Sequence, residues 1–125
     1  MAFAGSFEEL EVYKLARAMS LRIYELTKLF PKEERYSLTD QIRRSSRSVG
    51  AQIAEAWAKR KYEKHFVSKL TDADGEQHET RHWVMAALDS KLWSHEIAGE
   101  LITQYKIIGR QLQTMIDKSE AFCKK

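Results

Sequence analysis

The chain has little of what punctuates or staples a fold. One proline (Pro31) and five glycines stand among 125 residues, and no stretch alternates apolar and polar residues as a half-buried strand does. Those absences exclude a sheet-based architecture. The single cysteine, Cys123, excludes an intrachain disulfide and fits a reducing compartment, so the protein is expected in the cytoplasm. No apolar run approaches the roughly 20 residues of a membrane span, so no membrane contact is expected. The N-terminal Met1-Ala2-Phe3-Ala4-Gly5 carries neither a charged leader nor a hydrophobic signal core. There is no G-x-S-x-G elbow and no Walker-type phosphate loop, and a thiol beside Lys124 and Lys125 is badly placed as a nucleophile. The expectation is a non-enzymatic protein with no catalytic residues, no cofactor and no small-molecule substrate.

What is present is helix-forming material. At 43% hydrophobic content, 125 residues suffice to bury roughly 65–70% of the surface of the unfolded chain, which is one domain, residues 1–125. Apolar residues recur at helical spacing in four segments, about 7–30, 37–60, 62–90 and 94–120. In the first, Ser6 with Glu9 reads as a capping box, the stripe runs from Val12 to Phe30, and Pro31 stops a helix about 35 Å long. A short helical turn at Lys32 to Arg35 is followed by Ser37 as cap of the second helix, whose stripe is Leu38, Ile42, Ser45, Val49, Gln52, Ile53 and Ala56. The third carries Phe66, Leu70, Ala73, Gln77, Thr80, Val84 and Leu88 and ends near Ser90. Ser94 opens the fourth, with Ile97, Leu101, Gln104, Ile108, Leu112 and Met115 before a charged tail. Short links between long helices make neighbours antiparallel, so the expected fold is an all-α, antiparallel up-and-down four-helix bundle. The polar residues Ser45, Gln52, Gln77, Thr80 and Gln104 within these stripes are expected to bond to one another inside it.

Net charge is only +3, yet its distribution is uneven. From Lys32 to Thr71 there are ten Lys/Arg against five Asp/Glu, and from Asp72 to Glu100 two against seven. One side of the molecule is therefore basic and another acidic. At about 100° per residue, Arg43, Arg47 and Lys61 fall roughly 140–180° from Leu38, with Arg44 flanking them, which directs them outward. Arg43, Arg44, Arg47, Lys59, Arg60, Lys61 and Lys64 form the candidate phosphate-binding set for RNA or DNA, since guanidinium forks match phosphate oxygens. Tyr62 and His65 lie beside it and are able to stack on bases. The competing reading is a solvated or protein-binding face that pairs with an acidic helix three. The same outward strip holds Gly50, Ala51, Ala54 and Ala58, small residues that let another helix approach, which marks a candidate oligomer interface.

His78-Glu79-Thr80-Arg81-His82 matches H-E-x-x-H, in which two histidines one helical turn apart bind zinc. No third ligand follows at a metzincin spacing, and both histidines lie roughly 120–160° from Phe66, away from any dry interior. The unit Glu79-x-x-His82 of di-iron bundles occurs once where two copies are needed. No metal is expected.

Several segments together resemble a bacterial family, the four-helix bundle proteins encoded in intervening sequences of 23S ribosomal RNA. They are Phe7-Glu8-Glu9-Leu10-Glu11-Val12-Tyr13, Phe30-Pro31-Lys32-Glu33-Glu34-Arg35-Tyr36-Ser37-Leu38, Gln41-Ile42-Arg43-Arg44-Ser45, and Ser48-Val49-Gly50-Ala51-Gln52-Ile53-Ala54-Glu55-Ala56. The chain departs from the family's usual Asn-Ile-Ala-Glu-Gly at Gln52 and Ala56, and has Gly75-Glu76 where Gly-Ser is usual. The resemblance implies a homo-oligomer, a pentameric ring of bundles, without enzymatic activity. It also points to a related branch, the accessory variability determinant of diversity-generating retroelements, and so to nucleic acid and a reverse transcriptase as partners.

Overall fold

Heptad spacing builds the interior. In the computed structural model, which describes residues 5–123, the fully buried side chains of helix α3 (Glu63–Asp89) are Phe66, Leu70, Ala73, Gln77, Thr80, Val84 and Ala87. Those of α4 (His95–Asp117) are Ala98, Leu101, Tyr105, Ile108, Leu112 and Met115. Both sets alternate steps of four and three residues, the a/d seam that lets long helices pack side by side at a shallow angle. Helix α2 (Asp40–Ala58) contributes Ile42, Ser45, Ser46, Val49, Ile53, Ala56 and Trp57, and α1 (Glu11–Thr27) contributes Val12, Ala16, Ile23 and Thr27. A short α5 (Ser119–Cys123) folds against the start of α3, where Phe122 stacks on Phe66 with ring centroids 5.8 Å apart and Ser119 donates to Glu63 at 2.7 Å.

Cross-helix pairs fix the topology. Along α2 and α3, Arg44 meets Glu79, Ser45 meets Thr80 and Glu55 meets Lys69, so the two helices run antiparallel. Arg22 of α1 reaches Glu100 of α4 at 2.5 Å, and α1 also packs on α2, which closes the ring of four. The all-α bundle is as the sequence implies, and among the described residues there is no strand. No described helix is long and apolar enough to cross a membrane. The readings of Met1–Ala4, Lys124 and Lys125 lie outside the described residues.

Several ends and registers differ from expectation. Ser6 makes no side-chain cap; Phe7–Glu9 form one 3-10 turn, Leu10 is extended, and the Glu9 carboxylate accepts from the Gly5 amide at 2.9 Å. Helix α1 has 17 residues and is about 26 Å long rather than 35 Å: it starts only at Glu11, after the 3-10 turn, and ends at Thr27, where Pro31 disfavours helical backbone before it and Lys28–Phe30 close as a turn. The 3-10 turn Lys32–Glu34 is present, but Ser37 donates to Glu34 instead of capping, inside a π-helical turn, Arg35–Thr39, that runs into α2. On α4 the core positions are Ala98 and Tyr105 in place of Ile97 and Gln104, and on α3 Ala87 replaces Leu88. Ser94 does cap α4, accepting from the Ile97 amide at 3.2 Å.

The C-terminus of α3 forms a Schellman turn: Lys91 N–H donates to Leu88 O at 3.0 Å and Leu92 N–H to Ala87 O at 2.9 Å. Lys91 occupies the left-handed position that glycine favours, at φ 61°. Of the expected polar network, Thr80 donates to Ser45 at 2.8 Å with both side chains buried. Gln77 is buried but bonds its own helix, at Asp74 and His78, whereas Gln52 and Gln104 are only half-buried.

Candidate nucleic-acid interface

The structure divides the seven candidate cations into three groups. Arg43 is half-buried: its Nε donates to Thr27 Oγ1 at 2.8 Å, and its guanidinium lies 4.7 Å from the centroid of the Tyr24 ring on α1. Arg47, one turn on and exposed, covers the same ring at 5.2 Å, and Lys28 approaches it at 5.0 Å. The outward direction expected for Arg43 is therefore corrected, because a long side chain at the edge of the α1–α2 seam lies down on the neighbouring helix. Thr27 itself donates back to Ile23 O at 2.8 Å, which fixes the hydroxyl that receives Arg43. Like charges one turn apart repel by a few tenths of a kcal/mol in an isolated helix, and a shared aromatic face offsets part of that.

Arg44 faces the other way. It bridges Glu76 and Glu79 of α3, and Glu79 also accepts from Trp83 Nε1 at 3.0 Å. The acidic stretch that follows Asp72 thus neutralises a cation of its own chain. Arg44 is occupied where Arg43 and Arg47 have no carboxylate partner among the described residues.

Lys59, Arg60, Lys61 and Lys64 gather at the α2–α3 corner, with Lys59 about 18 Å along α2 from Arg47. Arg60 stacks 3.7 Å from the Trp57 centroid and donates Nε to Trp57 O at 2.9 Å. None of the four has a carboxylate partner among the described residues. Tyr62 and His65 sit at this corner with ring centroids 5.4 Å apart, beside an open groove of about 860 Å³ lined by residues 61–65, Val67 and Ser68.

Small residues on α2 face their own chain as much as solvent. Gly50 and Ala54 are half-buried and Ala51 and Ala58 exposed; a methyl placed on Gly50 would touch the Tyr13 ring at 3.5 Å. Gly50, Ala51 and Ala54 line a groove of about 300 Å³ with Phe7, Tyr13, Arg17 and Arg47. The zinc-like residues do not converge. His78 turns back to Asp74 O at 2.9 Å, His82 lies edge-on to Trp83, and Glu79 is held by Arg44. Among the described residues no three His, Cys, Asp or Glu side chains meet as a metal set. At Cys123, burial and then Glu63 push the thiol pKa up while Arg60 lowers it, the reverse of what a nucleophile needs.

Tyr24, Thr27 and Trp57, which hold three of the arginines, were not singled out by sequence reasoning. Helix two alone carries no signal for Tyr24 and Thr27, which belong to another helix, and Trp57 lies outside the apolar stripe assigned to helix two.

Fold and surface together define a helical bundle protein whose surface carries cations without carboxylate partners among the described residues. It belongs to the 23S rRNA-intervening sequence protein family, whose sequence profile matches residues 8–114. A crystal structure of a protein of unknown function from the S23 ribosomal protein family of Bacteroides thetaiotaomicron is similar over most of the chain. Its TM-score is 0.78 at 26% identity, covering 85% of this chain and 95% of that one. No curated protein sequence matches.

Proposed function

We propose that this chain is a non-enzymatic, homo-oligomeric accessory protein that binds the phosphate backbone of nucleic acid through the basic surface of α2. The observation that carries the reading is the contrast between neighbours: Arg44 is bound by Glu76 and Glu79, whereas Arg43 and Arg47 are gathered over Tyr24 with no carboxylate partner among the described residues. Preorganised, uncompensated guanidinium groups are what a polyanion rewards, by counterion release and by forked hydrogen bonds. Lys59, Arg60, Lys61 and Lys64 supply a second set of phosphate contacts at the corner. Oligomer formation is supported by the groove along Gly50, Ala51 and Ala54 and by apolar side chains left in solvent, Leu29 at 90% exposure foremost.

Fluorescence anisotropy of nuclease-treated protein with labelled RNA and duplex DNA tests this. Arg47→Glu, at an exposed position, and the double change with Arg43→Glu are expected to abolish binding while light scattering gives an unchanged oligomer mass. A fall in mass with either variant favours a protein-interaction scaffold in place of nucleic-acid binding. A mass of one 14.6 kDa chain for the unmodified protein removes the oligomer.

A further inference from the structure

The α2–α3 corner combines features that neither stability nor duplex binding explains. Tyr62 holds the N-cap position of α3, with extended backbone (φ −124°, ψ 109°) and no side-chain cap. Ser, Thr, Asp or Asn would satisfy the free amides there, so an aromatic forgoes a local stabilisation. Tyr62 is 56% exposed, and the ring of the exposed His65 lies beside its own at 5.4 Å. Lys61 and Lys64 flank the pair although cations at a helix N-terminus oppose the macrodipole. Glu63, the one carboxylate among them, also lines the groove, and one of its oxygens accepts from Ser119 at 2.7 Å. His65 and Ser68 also wall a second, smaller groove with Lys59 and Lys69; Lys69 is paired with Glu55, so Lys59 brings the unpaired charge to that side of the rings.

Two exposed rings, with Lys61 5.8 Å from the Tyr62 centroid, beside lysines that have no carboxylate partner among the described residues match a ligand with alternating flat apolar groups and anions. We infer that the corner is a stacking platform for single-stranded nucleic acid, with unpaired bases lying on Tyr62 and His65 and phosphates between Lys59, Lys61 and Lys64. This rests on the nucleic-acid reading above and narrows it. A duplex keeps its base faces inside its own stack and offers the corner only phosphates, whereas a single strand offers both groups. Arg60 stays on Trp57 and frames the platform without joining it.

The test is anisotropy with a labelled homopyrimidine strand of about 12 nucleotides, within the span of single-strand sites, and with a duplex of the same length. The wild-type chain is expected to bind the strand more tightly than the duplex at equal salt. Tyr62→Ala is expected to weaken the strand about 10-fold and to move the duplex by less than about 2-fold, while Tyr62→Phe restores the strand. Because Tyr62 is exposed and makes no cap, circular dichroism of Tyr62→Ala should match the wild type. Equal loss on both probes, or no loss on the strand, overturns the platform while leaving backbone binding intact. Failure of the wild-type chain to bind either probe overturns both readings.

Discussion

Replacing Tyr105 by phenylalanine removes one oxygen atom from the middle of the bundle. The side chain is 0% exposed, and no described protein group lies within hydrogen-bonding reach of its hydroxyl. In the unfolded chain that hydroxyl is hydrated; in the core it loses water and gains nothing, a penalty of about 1–3 kcal/mol on mutational scales. Phenylalanine keeps the buried ring and opens no cavity. Tyr105→Phe should therefore raise stability by about 1 kcal/mol or more, or roughly 3–6 °C in Tm for a chain of this size. Urea titration should show a higher midpoint at unchanged slope.

A second signature comes from titration. Burial pushes the Tyr105 phenol far above its ordinary pKa, so between about pH 10 and that raised value the unfolded chain releases a proton that the folded chain keeps. Fewer protons bound in the unfolded state mean that stability falls as pH rises, by at most about 1.4 kcal/mol per pH unit. Below about pH 10 the contribution is absent. The gap between Tyr105→Phe and wild type should accordingly widen above pH 10. A variant that is less stable than wild type by about 1 kcal/mol, with no added alkaline gap, would refute the reasoning and mean that the hydroxyl has a buried partner.

Other expectations follow from single contacts. Lys91→Gly relieves a left-handed residue in an intact Schellman turn and should stabilise by about 0.5–1 kcal/mol in a thermal melt; destabilisation would contradict the assigned turn. Thr80→Val should cost about 1–2 kcal/mol, and the double change with Ser45→Ala should cost less than the two singles added, by about 0.5 kcal/mol or more, whereas strict additivity would deny the buried pair. Arg44→Ala leaves Glu76 and Glu79 facing each other and should lose about 0.5–1 kcal/mol in urea, since the pair is partly exposed, while losing less RNA affinity than Arg47→Ala. The reverse order of affinities would erase the distinction between the two arginines.

The four long helices and most of their buried seams were legible because apolar spacing is a property of each helix by itself, whereas the short α5 was read as part of the fourth helix and its charged tail. What the spacing left ambiguous was rotation: Gln104 and Tyr105 sit on adjacent sides of one turn, and only the partner helices decide that the aromatic goes inward. Boundaries failed where backbone geometry outranked pattern, as at Lys28–Phe30 before Pro31 and in the π-helical turn before Asp40. The basic set was visible as composition but not as three groups. Its division depends on which helix lies beside each face of α2: α1 offers Tyr24 and Thr27, and α3 offers Glu76 and Glu79. Helical angle alone placed Arg43 in solvent, and the length of the arginine stem returned it to the α1 seam.

The central claim is that uncompensated arginines and lysines on this bundle receive phosphate. Its most direct test is the affinity of the unmodified, nuclease-free protein for a short labelled RNA across a salt series. Log K is expected to fall linearly with log salt, with a slope of about −2 or steeper if three or more phosphates are contacted. No binding at low salt, or binding indifferent to salt, would contradict it.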